Sequence, residues 1–388
     1  IALRATNSGF LGVTRSTFDQ VAGSAVQTST VRTVSLVGVS GSNTAPTPYF
    51  VGYGGPFAVD VDGADSLRVD SSAFHDNRFG GLICRSCRAV FAARTRFVRN
   101  LLDASYAFTS GGNLVLESPG RSVLYGLTVA NEASYGIWLV LQGQGSRTVI
   151  DSSSLTGAPT LVQADEGSAT QYGLGDTLVV SRSVLRGTGI GVFAYALSSF
   201  TLSGSLIDSV QTGVQWLSPG RATIYGNTFS RLGSSAGWPA GSSAVTSYDG
   251  SVAIDSNTIN GSGAGYGVVL YTPGSVTRNV ITGCIYCVYA FGNYGPQRLR
   301  ISGNSIVRDT LITGTSIYVA TWSDSVMTIS GNTIQRGLGN GIELSGNSTG
   351  IGNARVDSNT VQGMRGTGMS FSGAIGQVSM RYNAIADN

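Results

Sequence analysis

The densest group of ionisable residues in this 388-residue sequence runs Asp60-Val-Asp-Gly-Ala-Asp65, followed by Asp70, His75 and Asp76. Carboxylates spaced this way suggest a calcium loop, and an imidazole beside a carboxylate suggests acid–base chemistry. The bidentate acid that closes an EF-hand loop is missing, however. No Ser-His-Asp set can be built on one histidine. Strand alternation gives a plainer reading. Val59 and Val61 point inward, Asp60 and Asp62 point outward, and Gly63-Ala64 turns the chain. His75 is then a turn or surface residue. If the chain is an enzyme, this cluster is the first place to look.

Cysteine is the second reactive type. It occurs as Cys84-Arg-Ser-Cys87 and Cys284-Ile-Tyr-Cys287. Two CxxC pairs can form a four-cysteine zinc site, a pair of local disulfides or two pairs of buried thiols. The choice depends on how far apart the fold holds them. The same holds for Asp70, Asp151, Asp255 and Asp357, which recur in equivalent surroundings.

The elements that position these residues are repeats. A motif of apolar, any, apolar, two small polar residues, Asn or Ser, any, apolar returns throughout. It reads Ile301-Ser-Gly-Asn-Ser-Ile306, then Ile329-Ser-Gly-Asn-Thr-Ile334, Val356-Asp-Ser-Asn-Thr-Val361 and Met380-Arg-Tyr-Asn-Ala-Ile385. Its closing apolar residue falls at Phe18, then regularly from Phe74 to Ile385 with gaps of 22 to 32 residues. The long gap before Phe74 hides one degenerate coil near Val34-Ser-Leu36. A constant minimum with irregular additions means one unit plus variable loops. β-branched residues at period two, punctuated by Gly and Asn, make short strands and tight turns. A further strand signal follows each loop, as in Gly136-Ile-Trp-Leu139, Gly267-Val-Val-Leu270 and Gly341-Ile-Glu-Leu344. The expected fold is an all-β solenoid: one domain over 1–388, with degenerate coils over 1–66 and regular coils over 67–388. About fifteen coils build three parallel sheets.

This pattern resembles the right-handed parallel β-helix of the pectin-lyase-like superfamily, in the parallel β-helix repeat form of NosD-like proteins. The resemblance implies an Asn stack at one tight turn, formed by Asn227, Asn257, Asn279, Asn304, Asn332, Asn359 and Asn383. Asn suits that turn because it tolerates a left-handed backbone. Earlier coils carry Ser72, Ser153, Ser183 and Ser205 there. The Asn-Thr-Asp, Asp-Asp and Gly-His-Gly motifs of the polygalacturonase branch are absent. Asp151 and Asp255 lie four coils apart, roughly 19 Å, too far for a glycosidase pair. The fold therefore implies no catalytic residue, metal or cofactor here. The two CxxC pairs lie eight coils apart, about 38 Å. That spacing excludes a shared metal site and favours two local bridges, Cys84–Cys87 and Cys284–Cys287.

Composition supports a solenoid stabilised by polar turns. Charged residues are 12%, all 24 basic residues are Arg, and net charge is +3, too small for a nucleic-acid partner. No apolar run is long enough for a transmembrane helix. Neither end carries a solenoid cap, so the sequence reads as part of a longer chain. Local disulfides fit a secreted, extracellular or cell-surface bacterial setting.

One departure from the repeat is apolar. On the strand after the variable loop, Ile137, Val192, Val268, Val288 and Ile317 read as inward. Trp138, Phe193, Tyr195, Tyr271, Tyr289, Phe291 and Tyr318 then face outward. A stripe of that size exceeds the apolar patch usual on a monomer. It should meet loops of the same chain, a protein partner or second copy, or a neutral glycan. The preferred expectation is a non-catalytic extracellular β-helical scaffold or fibre protein making contacts through this face. The alternative is a glycan-binding or glycan-active β-helix protein.

Overall fold

The computed structural model describes residues 1–44, 57–100, 112–130, 135–141, 145–165, 175–233, 242–261, 265–292, 298–308, 313–320 and 327–388. Every regular element among them is a β-strand, and every pairing is parallel. A coil has three strands. The lead strand, such as Gly80–Arg85, is followed by a middle strand, Ala89–Ala93, and a short strand, Arg96–Val98. Each pairs with its counterpart in the next coil, so strand hydrogen bonds run between coils.

Short strands form one sheet of fifteen strands. Lead and middle strands form two ladders. These merge into one 28-stranded sheet because Asn340–Asp357 is continuous, pairing with a lead strand at its start and a middle strand at its end. The corner between them is itself extended strand there, and the third sheet loses its separate identity.

The chain divides into two compact units, Ile1–Thr201 and Leu202–Asn388. Each has a stacked apolar interior. In the first, Phe74, Phe97, Val129, Leu155 and Leu185 lie in register along the short strands. In the second, Ile207, Phe229, Ile259, Ile281, Ile306, Ile334 and Val361 do the same. All are at most 1% exposed. The degenerate coil comprises Thr33–Val37 and Ser40–Ser42. Gly41 holds its closing position, because a side chain there would press on the Phe74 ring, 3.1 Å from the place of a Cβ.

The corner between middle and short strands corrects one expectation. Asn does not carry the left-handed backbone. The residue before it does: Gly226, Ser256, Arg278, Gly303, Gly331, Ser358 and Tyr382 all have positive φ. The Asn that follows turns its amide inward instead. Asn304 Nδ2 donates to Val276 O at 2.9 Å and to Asn332 Oδ1 at 2.9 Å, and Asn304 Oδ1 accepts from Asn279 N and Nδ2 at 2.9 and 3.0 Å. The same bonds link Asn227, Asn257, Asn279, Asn332, Asn359 and Asn383.

Both disulfides are local. Cys84–Cys87 ties the end of a lead strand to the corner after it, and Cys284–Cys287 ties the corner before a lead strand to that strand. All four sulfur-bearing side chains are buried. No helix among the described residues is long and apolar enough to cross a membrane.

Candidate binding face

The outer face of the lead strands positions the candidate residues, and a bend in each strand decides which side chains reach it. The second and third residues both point inward. At Gly267 an added Cβ would sit 2.4 Å from the next coil's Cys287 O and 3.0 Å from the core residue Ile281. The first, fourth and sixth residues therefore point out. This is why Gly, apolar, any, apolar recurs in the sequence, and it puts Tyr266 and Tyr286 on the outer face beside Tyr289 and Phe291.

In the second unit the outer face is a tyrosine raft. Tyr266 stacks on Tyr286 with centroids 5.5 Å apart, and Tyr289 stacks on Tyr318 at 5.3 Å. The two pairs meet edge to face, Tyr266–Tyr289 at 5.4 Å and Tyr286–Tyr318 at 5.7 Å. Tyr248 stacks on Tyr271 at 5.1 Å, and Tyr271 meets Phe291 edge-on at 6.3 Å. Val269, also on this face, is only 1% exposed beside its register partner Tyr289. Burial raises the phenol pKa of Tyr248, Tyr266, Tyr271 and Tyr286, and pushes that of Tyr289 up furthest. These five hydroxyls stay protonated over the physiological range.

The raft ends at a fixed carboxylate. Glu343 is the register partner of Tyr318. Its Oε2 accepts from Thr315 Oγ1 and Asn340 Nδ2, both at 2.9 Å.

The seven residues read from the sequence do not form one group. Tyr271, Tyr289, Phe291 and Tyr318 come together, joined by Tyr248, Tyr266 and Tyr286, which sequence reasoning missed. The signal for Tyr266 and Tyr286 was there: each opens a strand two residues before an inward valine. Trp138, Phe193 and Tyr195 belong to the first unit. Trp138 is tied down, with its Nε1 donating to Asp165 Oδ1 at 3.1 Å and its ring packed on buried Phe57, Ile83 and Val115. Gln163, not an aromatic, is the register partner of both Trp138 and Phe193.

The Asp60–His75 cluster separates into four local groups. Val59 and Val61 are buried and Gly63 turns at positive φ. Asp60 meets Arg85 Nη1 at 2.5 Å, and Arg85 Nε lies 3.5 Å from Glu117. Burial raises the pKa of Asp60 against the opposing pull of Arg85, and burial likewise raises that of Glu117. Asp65 lies near exposed Arg32 and Arg88 at 3.9 and 3.8 Å. Asp70 is held by Arg68 and Arg94. His75 stands on a different strand type, the short strand Ala73–His75, with its Nδ1 2.8 Å from Asp76 Oδ2. No group of three metal-ligating side chains occurs among the described residues.

Three of the four recurrent aspartates are structural clasps between coils, while Asp357 meets Arg355 of its own strand. Asp70 binds Arg94, Asp151 binds Arg182, and Asp255 binds Arg278, each Arg coming from the next coil. Each of these arginines sits at positive φ. The turn directs the guanidinium back along the stack, where both carboxylate oxygens meet it. Asp76–Arg99 and Asp208–Arg231 repeat the device one corner later. A planar fork makes two parallel bonds where an ammonium makes one, which accounts for the use of Arg at these corners.

Residues 168–326 match the family model of the right-handed β-helix region. The structure itself is an all-β parallel solenoid, a parallel β-helix. Among solved structures, it is similar to the tailspike of Pseudomonas phage phi297 at 10% identity and a TM-score of 0.46, over 76% of this chain and 48% of that one. The β-helix protein thus spans about half the length of that tailspike. It is also similar to the A-module of the Azotobacter vinelandii mannuronan C-5 epimerase AlgE6, at 13% identity and a TM-score of 0.34, over 95% of this chain and 91% of that one. The Dettilon tailspike protein gives 13% identity and a TM-score of 0.35, over 94% and 68%. No curated protein matches the chain.

Proposed function

We propose that the chain is a non-catalytic β-helical scaffold of an extracellular or cell-surface setting, binding a protein partner or another copy of itself through the tyrosine raft of its second unit. The observation that carries this reading is how the rings are used. Tyr266 with Tyr286, Tyr289 with Tyr318, and Tyr248 with Tyr271 are stacked with interplanar angles of 13°, 16° and 9°. Ring faces spent on one another are not free to stack on sugars. What remains outward is a neutral surface of ring edges and hydroxyls, the amphipathic contact that tyrosine supplies at protein interfaces. Two local disulfides support an oxidising compartment.

The test is the double variant Tyr289→Ala with Tyr318→Ala. Self-association is read by sedimentation, and partner capture by pull-down with quantified affinity. The expected result is a folded protein whose association is about thirtyfold weaker, the effect of losing roughly 2 kcal/mol at an interface hot spot. A folded variant that associates normally would refute the reading. The second reading, a glycan-binding or glycan-active protein, is favoured by one feature: the carboxylate of Glu343, held in place beside Tyr318. Turnover or saturable binding of a neutral oligosaccharide that is lost on Glu343→Gln would establish it.

A further inference from the structure

The short-strand face of the first unit holds a cavity of about 290 Å³ lined by Ala73, His75, Arg96, Val98 and Arg99. It lies on a different sheet from the aromatic residues. Ala73 and Val98 give it an apolar floor, and the rest of its lining is basic. No carboxylate lines it among the described residues. Asp76 stands behind the lining and orients two of the basic groups. It accepts from Arg99 Nε and Nη2, both at 2.7 Å, which leaves Nη1 for another acceptor. It also bonds His75 Nδ1 at 2.8 Å, which leaves the ring's Nε2. Arg96 is exposed and makes no ion pair among the described residues, so its whole guanidinium is available. The parallel register places Arg96 beside Ala73, and Val98 beside His75. The outer face therefore alternates small or apolar residues with basic ones.

We infer that this cavity binds a small tetrahedral oxyanion, a phosphate or sulfate group, between Arg96, Arg99 and His75. Two guanidinium groups offer charge-assisted hydrogen bonds to separate oxygens. With Asp76 on Nδ1, the neutral His75 ring presents Nε2 as an acceptor for the hydroxyl of hydrogenphosphate. Once protonated, the same nitrogen donates. Three directional groups on one side suit an anion with several equivalent oxygens better than a planar carboxylate. The bound group can be a free ion or the terminal group of a larger molecule.

His75 is the only histidine in the chain, so untagged protein gives a single imidazole Hε1 signal by proton NMR. Inorganic phosphate is titrated into the full, oxidised chain at constant ionic strength and pH, with chloride as the balancing anion. The expected result is a saturable shift of the His75 signal. Arg96→Ala should weaken binding about tenfold or more. Arg221→Ala, an exposed arginine on a middle strand of the other unit, should leave it unchanged. A shift that grows linearly without saturating, or one that Arg96→Ala leaves intact, would overturn the inference. Glucose 6-phosphate, run in parallel, distinguishes the two sources: tighter binding than inorganic phosphate means the group arrives on a larger molecule, and equal binding means a free ion. An unchanged His75 chemical shift in Arg96→Ala without ligand checks that the cavity itself has survived.

Discussion

The two units solve the same corner differently. In the first, Ser153 Oγ accepts from Leu127 N at 3.1 Å in the neighbouring coil but donates to Asp151 O, two residues back in its own coil. In the second, Asn304 uses its amide to bond the coil before it and the coil after it, four times over. A hydroxyl has one proton to give, and the local carbonyl takes it. An amide has two, and at Asn304 both go to other coils. The Ser153 side chain thus makes one bond across coils and one within its own, whereas the Asn304 side chain makes four across coils. The first unit makes up part of the difference elsewhere. Asn77 Nδ2 donates to Asn100 Oδ1 and Asn100 Nδ2 donates to Asn113 Oδ1, a short stack ahead of the lead strands. Unpaired inward hydroxyls occur in both interiors: Ser122 and Thr148, in register, in the first unit, and Ser316 in the second.

The largest effect should come from cutting the amide ladder. Asn304→Ala removes bonds on both sides and leaves several buried groups unpaired, at a cost of about 3 kcal/mol in denaturant unfolding. Hydrogen exchange at the Asn279 amide, which donates to Asn304, should speed up with it. A loss no greater than that of a surface substitution would break the comparison.

Removing a bridge should come next. The Cys284→Ser, Cys287→Ser double variant should lose about 2 kcal/mol, since the closed loop is short. Intact mass checks the premise, with all four cysteines alkylated only after reduction.

A smaller loss is expected at the serine corner. Ser153→Ala should cost about 1 kcal/mol, clearly less than Asn304→Ala in the same assay. In the opposite direction, Thr148→Val keeps the shape and removes the unpaired hydroxyl, and should stabilise the protein by about 1 kcal/mol.

The smallest change concerns pH. Arg278, by hydrogen bond first and charge second, holds the Asp255 carboxyl below its ordinary value of 3.8, while burial opposes it. A depressed acid stabilises the fold fully above its unfolded value. That contribution is lost as pH falls through the lower, folded value. Arg278→Ala should therefore flatten the stability profile below about pH 4, and the two proteins should converge once the pH is low enough to protonate Asp255 in both. An unchanged acid limb would mean that the clasp adds nothing.

The aromatic residues show what sequence reading reaches and where it stops. Tyr289 and Tyr318 are legible because each stands one residue after an inward valine or isoleucine, at period two. Tyr266 and Tyr286 escape a period-two reading, because the strand bends between its second and third residues; only their place two residues before an inward valine marks them. The acidic cluster fails for a related reason. Asp60 and His75 are close in the chain but lie on different sheets, whereas Arg85 and Glu117 are distant in the chain and reach Asp60 across coils.

The sequence by itself determined the solenoid. Its repeat alternates inward apolar residues with polar corners, and only stacked parallel strands bury that pattern while pairing the backbone. It also marked which positions are equivalent, because the corner keeps its spacing from the closing apolar residue. The tertiary structure decided what stands next to what. Loops of different length separate equivalent residues by 22 to 30 positions and more, so no spacing in the chain encodes a neighbour one coil away. Pairing Asp151 with Arg182, aligning Glu343 with Tyr318, and gathering His75, Arg96 and Arg99 around one cavity all depend on that axial register. The left-handed backbone falls on the residue before each Asn for the same reason: the amide must face along the stack to bond the coils on either side.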